Sequence, residues 1–113
     1  MKKIVFTVLC VLVLSFAAMA QYTGPTGTVT TVKEALNMPD HTPVILTGKI
    51  EKYLGDEMYR FSDETGTIDV EIDEDIWRYF SVSAEDTVVI TGEVDKDFMT
   101  RTIEVNQISK KQA

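Results

Sequence analysis

Two segments of this chain share one pattern. Val44 to Lys52 reads VILTGKIEK, and Val88 to Lys96, forty-four positions later, reads VVITGEVDK. Each alternates apolar and polar residues with period two, the mark of a strand with one buried face. In the first, Val44, Leu46, Gly48 and Ile50 share a face, and Ile45, Thr47, Lys49 and Glu51 share the other. Gly48 and Gly92 fall at the same place in the two segments. A glycine inside a strand marks a bulge or a sharp bend. Two long strands, each bending at its middle, point to a closed barrel. The segments between them do not match one another, so the pattern is not a domain duplication.

The other elements fit around these two strands. Thr31-Val32-Lys33-Glu34 matches a capping box and opens a short helix that Pro39 stops. Its apolar residues Ala35, Leu36 and Met38 are expected to plug one end of a larger structure. Glu57 to Ser62 reads as a strand with Tyr59 and Phe61 on one face. Asp63-Glu64-Thr65-Gly66 reads as a turn, with Gly66 suited to positive φ. Thr67 to Ile72 returns with Ile68, Val70 and Ile72 inward. Asp73 is then placed to cap a helix running to Phe80, with Glu74 and Asp75 near its positive end. Met99 to Ile108 supplies a last strand, with Ile103 and Val105 on one face. The order is helix, three strands, helix, two strands. That is the order of an OB-fold, an all-β, five-stranded antiparallel barrel with a helix between its third and fourth strands.

The N-terminus is read separately. Lys2 and Lys3 precede an apolar run from Ile4 to Phe16, and Ala18-Met19-Ala20 supplies a cleavage site before Gln21. This is the layout of a secretory signal peptide over residues 1–20, and the run is too short to span a membrane. The expectation is a periplasmic protein with a flexible Thr-, Gly- and Pro-rich leader over 21–30 and one domain over 31–113. Cys10 is the single cysteine and lies inside the run, so the mature chain would have no thiol for a disulfide, a nucleophile or a metal. Removing Lys2 and Lys3 leaves nine Lys and Arg against eighteen Asp and Glu, a net charge of −9. Such a chain repels nucleic acid and anionic lipid and attracts cationic partners.

The blocks Tyr22-Thr23-Gly24-Pro25, Thr31 to Ala35, Leu46 to Ile50, Gly55 to Phe61, Gly66 to Asp73 with Trp77, and Gly92 to Asp97 together resemble the bacterial OB-fold (BOF) family, the YgiW/YdeI-like group of small periplasmic stress-tolerance proteins. The likeness runs over essentially the whole mature chain. It departs at Arg78-Tyr79-Phe80, where a glycine-containing turn is expected after Trp77. The resemblance implies a non-enzymatic, cofactor-free binding module tied to envelope stress. It carries over no catalytic residue.

The candidate site is an acidic run. Seven of the seventeen residues from Tyr59 to Asp75 are acidic. Asp69, Glu71 and Asp73 alternate with Ile68, Val70 and Ile72, so their carboxylates share the outer face of one strand. Side chains two apart on a strand lie about 7 Å apart, close enough to attract one cation jointly. The spacing does not fit an EF-hand, so no metal is assigned. The competing reading is a solvated face balanced across the sheet by Lys49, Lys52 or Arg60. Trp77 is the fourth candidate, either an anchor of the middle helix or a ring that stacks on a sugar or a cation. Tyr59 and Phe61 are read as core or core-edge residues, because a nucleic-acid stacking platform needs a basic groove. His41 is the only histidine, and no serine stands in a nucleophile elbow. The reading is a binding protein that takes a cationic ligand on its acidic face. The alternatives are a module that modulates an envelope sensor and a binder of cell-wall saccharide.

Overall fold

The computed structural model describes residues 27–78 and 80–111. The expected signal peptide over 1–20 and the first six residues of the expected leader, 21–26, lie outside the described residues. The elements run β1 (Thr28–Val29), α1 (Val32–Ala35), β2 (Pro43–Gly55), β3 (Met58–Asp63), β4 (Gly66–Glu71), α2 (Glu74–Trp77), β5 (Val88–Asp97) and β6 (Thr100–Lys110). One sheet has the order β1-β2-β3-β4-β6-β5, and β5 returns to pair with β2. Five strands thus close an all-β barrel. The closing pair β4–β6 is parallel, so the barrel is mixed rather than wholly antiparallel. The reason is that α2 carries the chain over the barrel's end before β5 and β6 are laid down. Thr28 and Val29, at the end of the leader, pair parallel with Val44 and Ile45.

The alternating pattern becomes the core. Val44, Leu46, Phe61, Val70, Val88, Ile90, Val94 and Ile103 are all fully buried. Ile68, Ile72 and Val105 join them. Val32 and Ala35 of α1 close one end of the barrel, with Met38 packed behind them. Leu36 points outward and is 38% exposed, because one turn of helix can present only part of its circumference to the barrel.

The two strand glycines sit where backbone meets backbone. Strand β2 pairs with β5 from Pro43 to Gly48 and with β3 from Lys49 onward. Gly48 is the corner between them. A Cβ there would lie 2.1 Å from the Ser62 carbonyl oxygen. A Cβ on Gly92 would lie 2.2 Å from the Glu104 carbonyl oxygen, and a register shift in the β5–β6 ladder falls between Thr91 and Gly92. Both contacts are with backbone, which cannot swing aside.

Two local expectations need correction. Gly66 does not take positive φ. The β3–β4 turn is held instead by the Asp63 side chain, which accepts from the Thr65 N–H at 2.7 Å and the Gly66 N–H at 3.2 Å. Such a side-chain turn needs no left-handed residue. The middle helix ends at Trp77 rather than Phe80. Asp73 stands at its N-cap position but makes no capping bond. Glu57, in the β2–β3 turn, accepts from the Glu74 N–H at 3.1 Å in its place. With no side-chain cap of its own, so short a helix lacks the cooperativity to propagate. Phe80 folds back, its N–H bonding the Trp77 carbonyl at 3.0 Å.

Substituting Gly48→Ala or Gly92→Ala is expected to destabilise the barrel by about 1–3 kcal/mol, the range for overpacked sites. Gly66→Ala, whose Cβ would meet only Val32 Cγ1 at 3.7 Å, serves as the control. Urea unfolding midpoints check this; equal midpoints for all three variants would remove the corner argument.

Candidate functional site

A hollow of about 640 Å³ lies between the start of the barrel and the β3–β4 turn. Its chemistry is structural. Asp63 Oδ2 accepts from the Val32 N–H at 2.9 Å, thirty-one residues away. The Thr65 hydroxyl donates to Asp63 Oδ1 at 2.6 Å and accepts from the Lys33 N–H at 3.0 Å. The capping box supplies the next bond, from the Glu34 N–H to Thr31 Oγ1 at 3.2 Å. The first backbone donors of α1 are therefore satisfied, two of them by the distant turn. Partial burial raises the Asp63 pKa, but the bonds from the Thr65 hydroxyl and the Val32, Thr65 and Gly66 N–H groups outweigh it and hold it below the ordinary carboxylate value.

The four sequence candidates separate. Asp69 is neutralised by Arg60, its cross-strand neighbour, whose Nε lies 3.3 Å from Oδ1. Glu71 stands at the end of β4, directly beside Glu104 in the parallel β4–β6 ladder. Asp73 follows and is exposed. Glu71, Asp73, Asp75 and Glu104 line one hollow of about 250 Å³ with Ile76 and Val105. Asp75 pairs with Arg78 at 3.0 Å. Glu71, Asp73 and Glu104 have no ion-pair partner among the described residues. Glu57 sits at the rim of this cluster. Its bond from the Glu74 N–H lowers its pKa, but the hydrogen bond it shares with Asp73, slight desolvation and the charges of Asp73 and Glu74 together raise it. Among the described residues, no group of three or more His, Cys, Asp or Glu is arranged to hold a metal ion.

Trp77 lies elsewhere. Its ring is 5.6 Å from Tyr59 and 6.2 Å from Phe80, and Tyr59 is 5.1 Å from Tyr53. It packs on the core as an anchor of α2, and its buried indole N–H has no partner among the described residues. Glu104 was invisible as a site residue in sequence. Thirty-three positions separate it from Glu71, and only the parallel pairing of β4 with β6 joins them. His41 is exposed between the carboxylates of Asp40 at 3.3 Å and Glu93 at 3.4 Å. Neither neighbour is the nucleophile that a hydrolytic triad needs.

A five-stranded barrel with this strand order defines an OB-fold. The chain belongs to the bacterial OB fold (BOF) protein family, whose model matches residues 15–110. It is 46% identical to protein YgiW of Escherichia coli over 84 residues, which is 74% of this chain and 65% of that protein. It thus spans just under two thirds of that relative's length. A solved structure of YgiW superposes with a TM-score of 0.73, covering 80% of this chain and 97% of that one. The calcium-regulated OB-fold protein CarO of Pseudomonas aeruginosa is 46% identical over 88 residues, 76% of each chain. Replication protein A of U. maydis, solved bound to single-stranded DNA, shares the fold at a TM-score of 0.54 and 17% identity, covering 81% of this chain and 78% of that one. That likeness is one of fold alone. Neither YgiW nor CarO carries the name of an enzyme. No helix among the described residues is long and apolar enough to cross a membrane.

Asp63→Ala is expected to cost about 1–3 kcal/mol at neutral pH, because it leaves the Val32 N–H and the turn donors without their acceptor. The Asp63 pKa is depressed in the folded state, so this stability is present above the ordinary carboxylate range. It is lost as pH falls through the lower, folded value. Thermal melts of wild type and variant should therefore converge in acid; a difference that stays constant with pH would contradict the assignment.

Proposed function

We propose that this protein is a periplasmic, non-enzymatic binding module for envelope stress tolerance, and that the acidic patch of Glu71, Asp73, Asp75 and Glu104 recruits a cationic ligand. The observation that carries the reading is the in-register pairing of Glu71 with Glu104. Like charges on neighbouring strands destabilise a sheet, and no basic side chain among the described residues pairs with either. A bound cation relieves that repulsion. The spread of the carboxylates suits an extended polycation, such as a polyamine or a basic peptide, rather than a chelated metal ion. The raised pKa of Glu57 at the patch's edge fits the same crowding of negative charge.

The face of β3 and β4 that holds oligonucleotides in other OB-folds supports this choice. By strand alternation it presents Arg60, Asp69 and Glu71, and its aromatic residues Tyr59 and Phe61 turn inward, Phe61 to full burial. A phosphate backbone meets neither a basic groove nor a stacking ring there.

The double variant Glu71→Gln/Glu104→Gln tests the reading. It is expected to melt at a higher temperature than wild type, because the repulsion is gone, and to bind spermine at least about fivefold more weakly at low salt. Isothermal titration and thermal melts read the two effects. Spermine affinity that is unchanged by the double variant, or by raising salt to 0.5 M or so, would reject the acidic patch as a site.

A further inference from the structure

Strand β2 has a different neighbour along each half. β5 covers one side of it from Pro43 to Gly48, ending at the Gly48–Val88 pair. From Lys49 to Gly55, β2 is paired only with β3. Beyond Gly48, the side of β2 away from β3 therefore carries no strand among the described residues. Glu51, Lys52, Tyr53 and Leu54 are all exposed, in contrast to the alternation of the first half. Edge strands of this kind present unpaired backbone donors and acceptors. Lys52 and the register shifts after Ile50 and Tyr53 break the flatness that indiscriminate edge-to-edge association needs. They leave room for one short segment.

Beside this edge runs a groove of about 440 Å³. Its far wall is the segment 80–84, and Tyr53, Tyr59, Trp77, Phe80 and Val82 make its surface apolar and aromatic. Tyr53 is 62% exposed although its ring continues the row that ends on Phe80. The barrel gains little from holding such a ring in water. The groove and the unpaired edge are adjacent, and Tyr53 belongs to both.

We infer that the β2 edge over 51–54 and the aromatic groove form a second binding site, which takes an extended segment of another polypeptide by strand addition. The edge demands an occupant with a backbone of its own to pair. The groove demands a large apolar side chain, and the period of a strand delivers one at every second residue. On the edge itself Glu51 and Lys52 cancel, and the protein's net charge of −7 favours basic residues at the positions between. The occupant is thus an extended segment in which basic and apolar residues alternate. A saccharide would use the rings but leave the edge unpaired. This site shares no residue with the Glu71–Glu104 patch, and it does not rest on that reading.

The test uses 15N-labelled protein and a capped octapeptide of alternating lysine and valine. A second peptide carries the same residues with every second backbone nitrogen methylated, which removes the pairing edge. The unmodified peptide is expected to give saturable shifts at the amides of 50–54 and to change the emission of Trp77, the single tryptophan. The methylated peptide should bind about tenfold more weakly or worse, since the main-chain bonds supply the affinity. Tyr53→Ser, a change at an exposed position, should weaken the first peptide roughly fivefold, the scale of one aromatic contact. Equal affinity for the two peptides overturns strand addition. So does an absence of shifts at 50–54, whether or not shifts appear at Glu71 and Glu104. Shifts at the groove from chitohexaose but not from the peptide would give the groove to a saccharide and overturn the inference. Repeating the titration on Glu71→Gln/Glu104→Gln separates the two sites, because only the acidic-patch response should disappear.

Discussion

The barrel depends on one geometric constraint, that β2 must change partners halfway along its length. At Gly48 it leaves β5 and turns onto β3, with the Ser62 carbonyl oxygen where a side chain would stand. Gly92 does the same service opposite Glu104. Without these two close approaches the sheet would stay open, and the alternating apolar residues would have no enclosed volume to fill. The corner also has a consequence on the far side. Because β5 ends where β2 bends, the second half of β2 is left with a free edge, and the binding groove is the space that the corner creates.

A second constraint ties distant parts of the chain together. The Asp63 carboxylate folds its own turn and caps the start of α1 at the same time. The helix is a single turn and would not persist alone. It persists because Val32 and Ala35 are buried in the barrel's end and because its first N–H groups find acceptors in the β3–β4 turn. An acidic residue that looked like part of a charged surface is thus a structural anchor. The acidic run has three separate uses: Asp63 holds the fold, Asp69 is balanced by Arg60, and Glu71 with Asp73 remains uncompensated.

Much of the fold was legible from residue order. Period-two alternation placed the strands within a few residues, and the paired glycines announced the barrel. The capping box at Thr31 and Glu34 formed as read. The misreadings have a common source. Gly66 and Asp73 were assigned roles from local chemistry, and in each case another side chain supplied the hydrogen bonds that shape the segment. Asp63 took over the turn, and Glu57 took over the helix start. Local rules name a suitable residue; they do not say which of several suitable residues reaches the donor first.

The sequence by itself determined the strand pattern, the corners, the acidity and the family, because each depends on residue identity and on spacing along the chain. It did not determine which carboxylates stand together. Glu71 meets Glu104 only because β4 and β6 run parallel with that register. Tyr53, Tyr59 and Trp77 form one row only because the fold brings the rings of the β2–β3 hairpin against the ring of α2. Tertiary structure decided both sites, since a charged patch or a groove is a property of side chains brought near each other. That nearness is set by strand register and barrel closure, which no single stretch of residues encodes.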